Sequence, residues 1–173
     1  MNDITLKNSE ETYIFIECGN KKYIMKSQYV SEVIKLPELE CSNELPKHVL
    51  GLLNYRGKIL NILDLKSILR FETKQVKLSD KIIIMNINNK EFGIVVDNVF
   101  DIKKVDDNYI KEIPYNNENK IIKNIYAPQD DLSLMILDEI VICDILEKSI
   151  ENKNEYKKQD DMWVEGDGFG YPA

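Results

Sequence analysis

Few residues in this chain have side chains able to do chemistry, and they are scattered. His48 is the only histidine. No serine or cysteine in a recognisable nucleophile setting accompanies it, and no glutamate–histidine spacing suggests a metal centre. A loop position is expected. The three cysteines, Cys18, Cys41 and Cys143, are odd in number, far apart and lack the paired spacing of a zinc or redox site. They are expected to be reduced thiols, with Cys143 a small buried hydrophobe among apolar neighbours. Three carboxylate pairs, Asp106-Asp107, Asp130-Asp131 and Asp160-Asp161, could hold calcium or do acid–base work. They lack the ligand spacing of a calcium loop and read as solvated surface. No metal, no cofactor and no enzymatic activity are expected. Arg56 remains, in the tetrapeptide Asn54-Tyr55-Arg56-Gly57. A guanidinium fixed in a glycine-terminated turn either braces that turn or offers bidentate bonds to a partner carboxylate. Such chemistry serves recognition.

The elements that must position Arg56 are written twice. Residues 14–35 read IFIECGNKKYIMKSQYVSEVIK and residues 83–104 read IIMNINNKEFGIVVDNVFDIKK. A shift of 69 positions lays Asn20 on Asn89, Lys21 on Lys90, Val30 on Val99 and Lys35 on Lys104. Tyr23 then meets Phe92, and Glu32 meets Asp101. Each copy leads through a proline, Pro46 or Pro114, to an aliphatic run ending in Leu63-Asp64 or Leu137-Asp138. Two modules with a seam between them are expected, and seams bind ligands and partners. Within each copy two short β-rich runs flank a turn, as in a hairpin. Ser27 to Val33 reads as a helical turn capped by Ser27, with residues 97–102 as its counterpart. VLGLLNYRGKILNILDL is two apolar runs joined across residues 54–57, where Gly57 supplies the positive φ of a tight turn. Asp64 is placed to cap a short helix. Residues 138–150 fit both a strand and a helix, and the parallel with Asp64 favours a helix. From Glu151 onward the sequence is polar and aperiodic and reads as a flexible tail, 151–173.

Composition narrows the partners. The chain has 173 residues, 43% hydrophobic and 31% charged, with a net charge of −7. That is a globular balance, and no cluster of Lys and Arg stands out along the sequence to attract nucleic acid or an anionic membrane. No basic flank precedes an apolar stretch near residue 1, and no apolar run approaches the roughly 20 residues that cross a bilayer. A cytoplasmic protein is expected.

The segment VLGLLNYRGKILNILDL resembles the signature of the CheW family of chemotaxis coupling proteins, G-(I/V)-(I/L)-N-L-R-G-x-(I/V)-x-P-(I/V)-(I/L)-D-L-R. Gly51, Asn54, Arg56, Gly57, Ile59, Ile62, Leu63, Asp64 and Leu65 match it. Residues 30–37, VSEVIKLP, resemble the family's V-x-E-V-I-x-L-P, and Gly93 to Asp97 its G-I-V-V-D. The signature's proline is Asn61 here, its leucine before arginine is Tyr55, its last arginine is Lys66, and a glycine usual in the second half is Asn124. Three motifs in order make the resemblance specific.

The resemblance implies a mainly β fold of two tandem five-stranded barrels packed side by side, with short helices. The expected boundaries are an N-terminal arm at 1–12 and lobes at roughly 13–80 and 81–150, with strand exchange between them allowed. It implies a non-catalytic adaptor linking chemoreceptor signalling tips to the regulatory domain of the histidine kinase CheA, within arrays that include other CheW-like modules. Arg56, Val30, Glu32, Val99 and Ile102 would form the receptor-binding set, with Asn54, Gly57 and Asp64 shaping the turn motif. The tail itself is expected to be unbound; the alternative is that Trp163, Phe169 and Tyr171 form a tethered recognition motif. The alternatives are a coupling module of a surface-motility or developmental circuit, and a small hydrolase using the interlobe cleft.

Overall fold

The computed structural model describes residues 11–72, 76–113, 120–129 and 132–166, with side chains through residue 159. Eleven strands dominate these residues. The first half contributes β1 (Glu11–Cys18), β2 (Lys21–Lys26), β3 (Val30–Lys35), β4 (Val49–Tyr55), β5 (Lys58–Asp64) and the helix α1 (Leu65–Ile68). The second contributes β6 (Lys81–Ile87), β7 (Lys90–Val96), β8 (Asn98–Val105), β9 (Ile110–Glu112), β10 (Ile122–Gln129), β11 (Leu132–Leu137) and the helix α2 (Glu139–Gly166).

Turn chemistry sets the hairpins. Gly19 and Asn20 close β1–β2 with φ of 61° and 62°, and Asn88 and Asn89 close β6–β7 with 52° and 65°. Successive positive φ values twist in the sense of the flanking strands, and glycine and asparagine reach them at least cost. The helical turn expected over Ser27 to Val33 shrinks to a single 3₁₀ turn, Ser27–Tyr29. Ser27 does not cap it; its hydroxyl donates instead to the Thr12 carbonyl at 2.9 Å. The β-branched Val30, Val33 and Ile34 extend as β3 because β6 supplies an antiparallel partner. Residues 98–105 likewise form β8, against β1.

The two sheets share one plan. One runs β8-β1-β2-β11-β10-β9 and the other β3-β6-β7-β5-β4. An isolated bridge from Glu40 to Leu52 lies beyond β4, where β9 lies beyond β10. Each sheet therefore takes the leading hairpin of one sequence copy and the trailing strands of the other. The parallel seam keeps its register in both, Ile62 beside Gly93 in one and Ile136 beside Ile24 in the other.

Six and five strands stand where two five-stranded barrels were expected, and no backbone ladder joins the end strands among the described residues. Each sheet still encloses its own apolar cluster. Tyr13, Ile24, Val105, Leu134 and Ile136 fill one, and Leu60, Ile62, Ile82, Ile84 and Val95 the other. Between the sheets the seam is solid. Ile14, Ile16 and Met25 meet Leu63, Ile83, Phe92 and Ile94 there, under Ile142, Cys143 and Leu146 of α2.

Asp138 starts α2 by accepting from the Ile140 and Val141 amides at 3.1 and 3.2 Å. Buried Glu139 ties the same turn to the Lys26 amide and to the Lys123 amine. Sequence favoured a tail from residue 151, but the helix continues to Gly166. Ile142, Leu146 and Ile150 anchor its first turns on the core, so each added Glu, Lys or Gln extends an existing nucleus.

Candidate interaction surface around Arg56

The β4–β5 hairpin presents Arg56 at its tip. Arg56 has a φ of 50° and Gly57 of 81°, the tightest type of hairpin turn. Nothing lies within 4 Å of a methyl added to Gly57, so backbone conformation alone calls for glycine there. The turn leaves the Arg56 side chain 74% exposed.

Three side chains meet at this tip. Nη2 of Arg56 donates to Oε2 of Glu32 at 2.9 Å. The Tyr55 hydroxyl donates to the same oxygen. The guanidinium carbon stands 4.9 Å from the Tyr55 ring centroid, a cation–π distance. Sharing its proton with the Glu32 carboxylate pushes the Tyr55 phenol above its usual range. Lys58 and Glu91 add a further pair beside the turn at 2.8 Å.

Glu32 belongs to β3 and Tyr55 to the end of β4, the two end strands of one sheet. The sheet curls until they touch, and side chains close the cylinder where a ladder does not. An exposed pair of this kind contributes only about 0–1 kcal/mol to stability. Arg56 uses one of its five donors on Glu32, so the rest of the fork remains available to an acceptor from outside.

Glu32 and Arg56 are thus brought together, with half-buried Val30 two residues away on β3. Val99 and Ile102 lie on β8 in the other sheet, in no described contact with Arg56. Val30 and Val99 both pack on the central core, whereas Ile102 is 53% exposed. Asn54 is exposed and pairs with Ile59, and Asp64 caps α1 by accepting from the Lys66 amide at 3.0 Å. Trp163 falls within α2, but its side chain lies outside the described residues, as do Phe169 and Tyr171 entirely. Sequence reasoning missed Tyr55 and Phe100. A tyrosine in place of the signature leucine, next to an arginine, was the available sign for the first. Phe100 is 48% exposed at a bulge, which no local pattern announces.

Two curled sheets that exchange their leading hairpins are the architecture of one known class. Residues 12–153 match the CheW-like domain, and the chain belongs to that family. It is 24% identical over 139 residues to a probable chemotaxis protein CheW of Rhizobium etli, covering 80% of this chain and 86% of the relative. To the chemotaxis protein CheW of Rhizobium meliloti it is 27% identical over 109 residues, 63% of this chain and 70% of the relative. The crystal structure of the scaffolding protein TtCheW from Thermoanaerobacter tengcongensis shares the fold, with a TM-score of 0.67 at 24% identity. That match covers 75% of this chain and 89% of TtCheW.

Proposed function

We propose that this protein is a non-catalytic adaptor of chemotaxis signalling, holding a chemoreceptor's cytoplasmic tip and the regulatory domain of CheA in one geometry. Arg56 carries this reading: an exposed guanidinium with most of its donors free, at the centre of the motif that marks the family. Glu32 and Tyr55 hold it in place, which lowers the entropy lost when a receptor carboxylate binds. Val30, on the same strand as Glu32, and Val99 and Ile102, on the other sheet, add apolar contact to the receptor surface. Assembly strength comes from many weak contacts repeated across an array, among them contacts with other CheW-like modules. No described helix is long and apolar enough to cross a membrane, so array membership rests on the partners.

The test is co-sedimentation of the purified protein with receptor tip fragments and the CheA regulatory domain, with Arg56→Glu in parallel. A ternary complex is expected, from which the variant loses the receptor and keeps the kinase. A folded protein that binds neither partner refutes the adaptor reading. Equal loss of both partners by the variant moves Arg56 off the receptor surface.

A further inference from the structure

A second region carries an inference independent of the adaptor reading. A cavity of about 700 Å³ opens between the loop before β4, the end of α1, the approach to β10 and the first turns of α2. Lys47, Arg70, Lys120 and Lys148 line it, with Asp144 as the one carboxylate. None of the four cations forms an ion pair with another described residue. In a chain of net charge −7, four cations with no ion pair among the described residues repel one another around this concavity, and a bound anion relieves that repulsion.

The other large cavity makes the contrast. It holds about 660 Å³, and its three lysines face Glu17, Glu72, Asp80 and Asp97. Lys66 there is bound to Asp97, whose other oxygen accepts from the Gly19 amide at 2.8 Å. Lys66 and Asp97 are thus consumed by the fold, and four carboxylates there outweigh three lysines. The basic cavity has one carboxylate for four cations.

We propose that the basic cavity binds a phosphate-bearing small molecule. Its four cations come from four separate segments, so donors converge on a compact anion and do not follow an extended one. Lysines supply point charges and Arg70 a planar fork, the combination suited to phosphate oxygens. Ser67 lines the same wall, its hydroxyl 2.6 Å from Nδ1 of His48. His48 and Arg70 have φ of 65° and 59°, left-handed values uncommon outside glycine and found at functional sites. Buried Ile68 and Ile121, with Val141 and Ile145, give the cavity an apolar lining for an organic group. The volume falls in the range of ordinary ligand sites. A long nucleic acid is disfavoured, because away from this cavity the acidic surface repels it.

His48, the sole histidine, is a single reporter for the test. The full chain is titrated with inorganic pyrophosphate, metal-free ATP and citrate, following the His48 imidazole resonances by NMR and the affinity by calorimetry. Pyrophosphate and ATP are expected to shift His48 and to saturate, and Arg70→Glu with Lys148→Glu to weaken both at least tenfold. Tighter binding of ATP means that the organic group uses the apolar lining; equal binding means that phosphate alone is read, and both outcomes uphold the site. Citrate matching pyrophosphate overturns it, reducing the cavity to a patch of charge. So does an unmoved His48, or an affinity that the double variant leaves unchanged while its thermal unfolding matches the parent.

Discussion

Strands β3 and β8 are the same piece of sequence used twice, and they differ in what they present. Both end a sheet, both pair with the first strand of the other copy, and both bulge at the same place. The register slips between Val30 and Glu32 in β3, and opposite Phe15 and Ile16 in β8, so Ser31 and Phe100 are the unpaired residues. On β3 the bulge holds a small polar residue, and the next side chain, Glu32, is engaged by Tyr55 and Arg56. On β8 the bulge turns an aromatic ring outward, with Lys22 5.3 Å from its centroid. Asp101, the counterpart of Glu32, accepts from its neighbour's amide at 2.8 Å and lies near Lys103. A duplicated backbone feature thus carries a braced ionic tip in one copy and an exposed apolar edge in the other. Duplication supplied the geometry, and divergence assigned the surfaces.

The sharpest way to break this pairing is through the cores behind the two strands. Ile24 and Gly93 are counterparts on β2 and β7. Ile24→Ala leaves a cavity in one cluster and should cost about 2–5 kcal/mol in urea denaturation. A methyl added to Gly93 would stand 2.6 Å from Ile62 and 2.8 Å from Ile82, so Gly93→Val overpacks the other cluster by about 1–3 kcal/mol. If both changes prove neutral, the two sheets do not enclose separate rigid cores.

Function should separate the strands next. Arg56→Glu is expected to weaken receptor binding about tenfold or more, with stability changed by no more than about 1 kcal/mol. Asp101→Arg, at the counterpart of Glu32, should weaken receptor binding less than Arg56→Glu does, since no tip is built on it although Val99 and Ile102 flank it. Equal losses in co-sedimentation would erase the distinction. Phe100→Ser, which gives β8 the residue of β3, should change stability by less than about 1 kcal/mol because the ring is half exposed.

The smallest effect is a titration. In Tyr55 the folded-state pKa lies above the ordinary value of 10.0 because Glu32 holds the phenol proton. The folded state therefore keeps that proton longer. The interaction is fully present below pH 10 and fades as pH rises through the raised value. Burial also raises Tyr13, Tyr23 and Tyr126, so the ultraviolet titration is read as the difference between the parent and Tyr55→Phe. That difference should isolate a phenol that ionises above 10 and moves back towards 10 in Glu32→Gln. An unchanged midpoint would mean that Glu32 does not hold the proton.

Local chemistry made much of this legible. The repeat placed both leading hairpins, asparagine and glycine marked their turns, and Asp64 and Asp138 marked two helix starts. The family signature pointed to Arg56. The extended form of 30–35 was misread because Ser27 looked like a cap, while the β6 partner that draws this segment into a sheet lies some fifty residues away. The far end of α2 was misread because its residues lack an apolar stripe, and its helicity is inherited from the anchored turns before it.

Sequence alone determined that there are two related β units, where their chain reversals fall, and which arginine stands at an exposed tip. Those properties depend on neighbours a few residues apart. Tertiary structure alone decided that each leading hairpin joins the other copy's trailing strands, since the two copies share one apolar pattern and either pairing satisfies it locally. It also decided that Tyr55 and Arg56 close on Glu32, and that four separated cations face one cavity. Curvature of the sheets and docking of α2 bring those groups together, and neither is written in any short stretch of the chain.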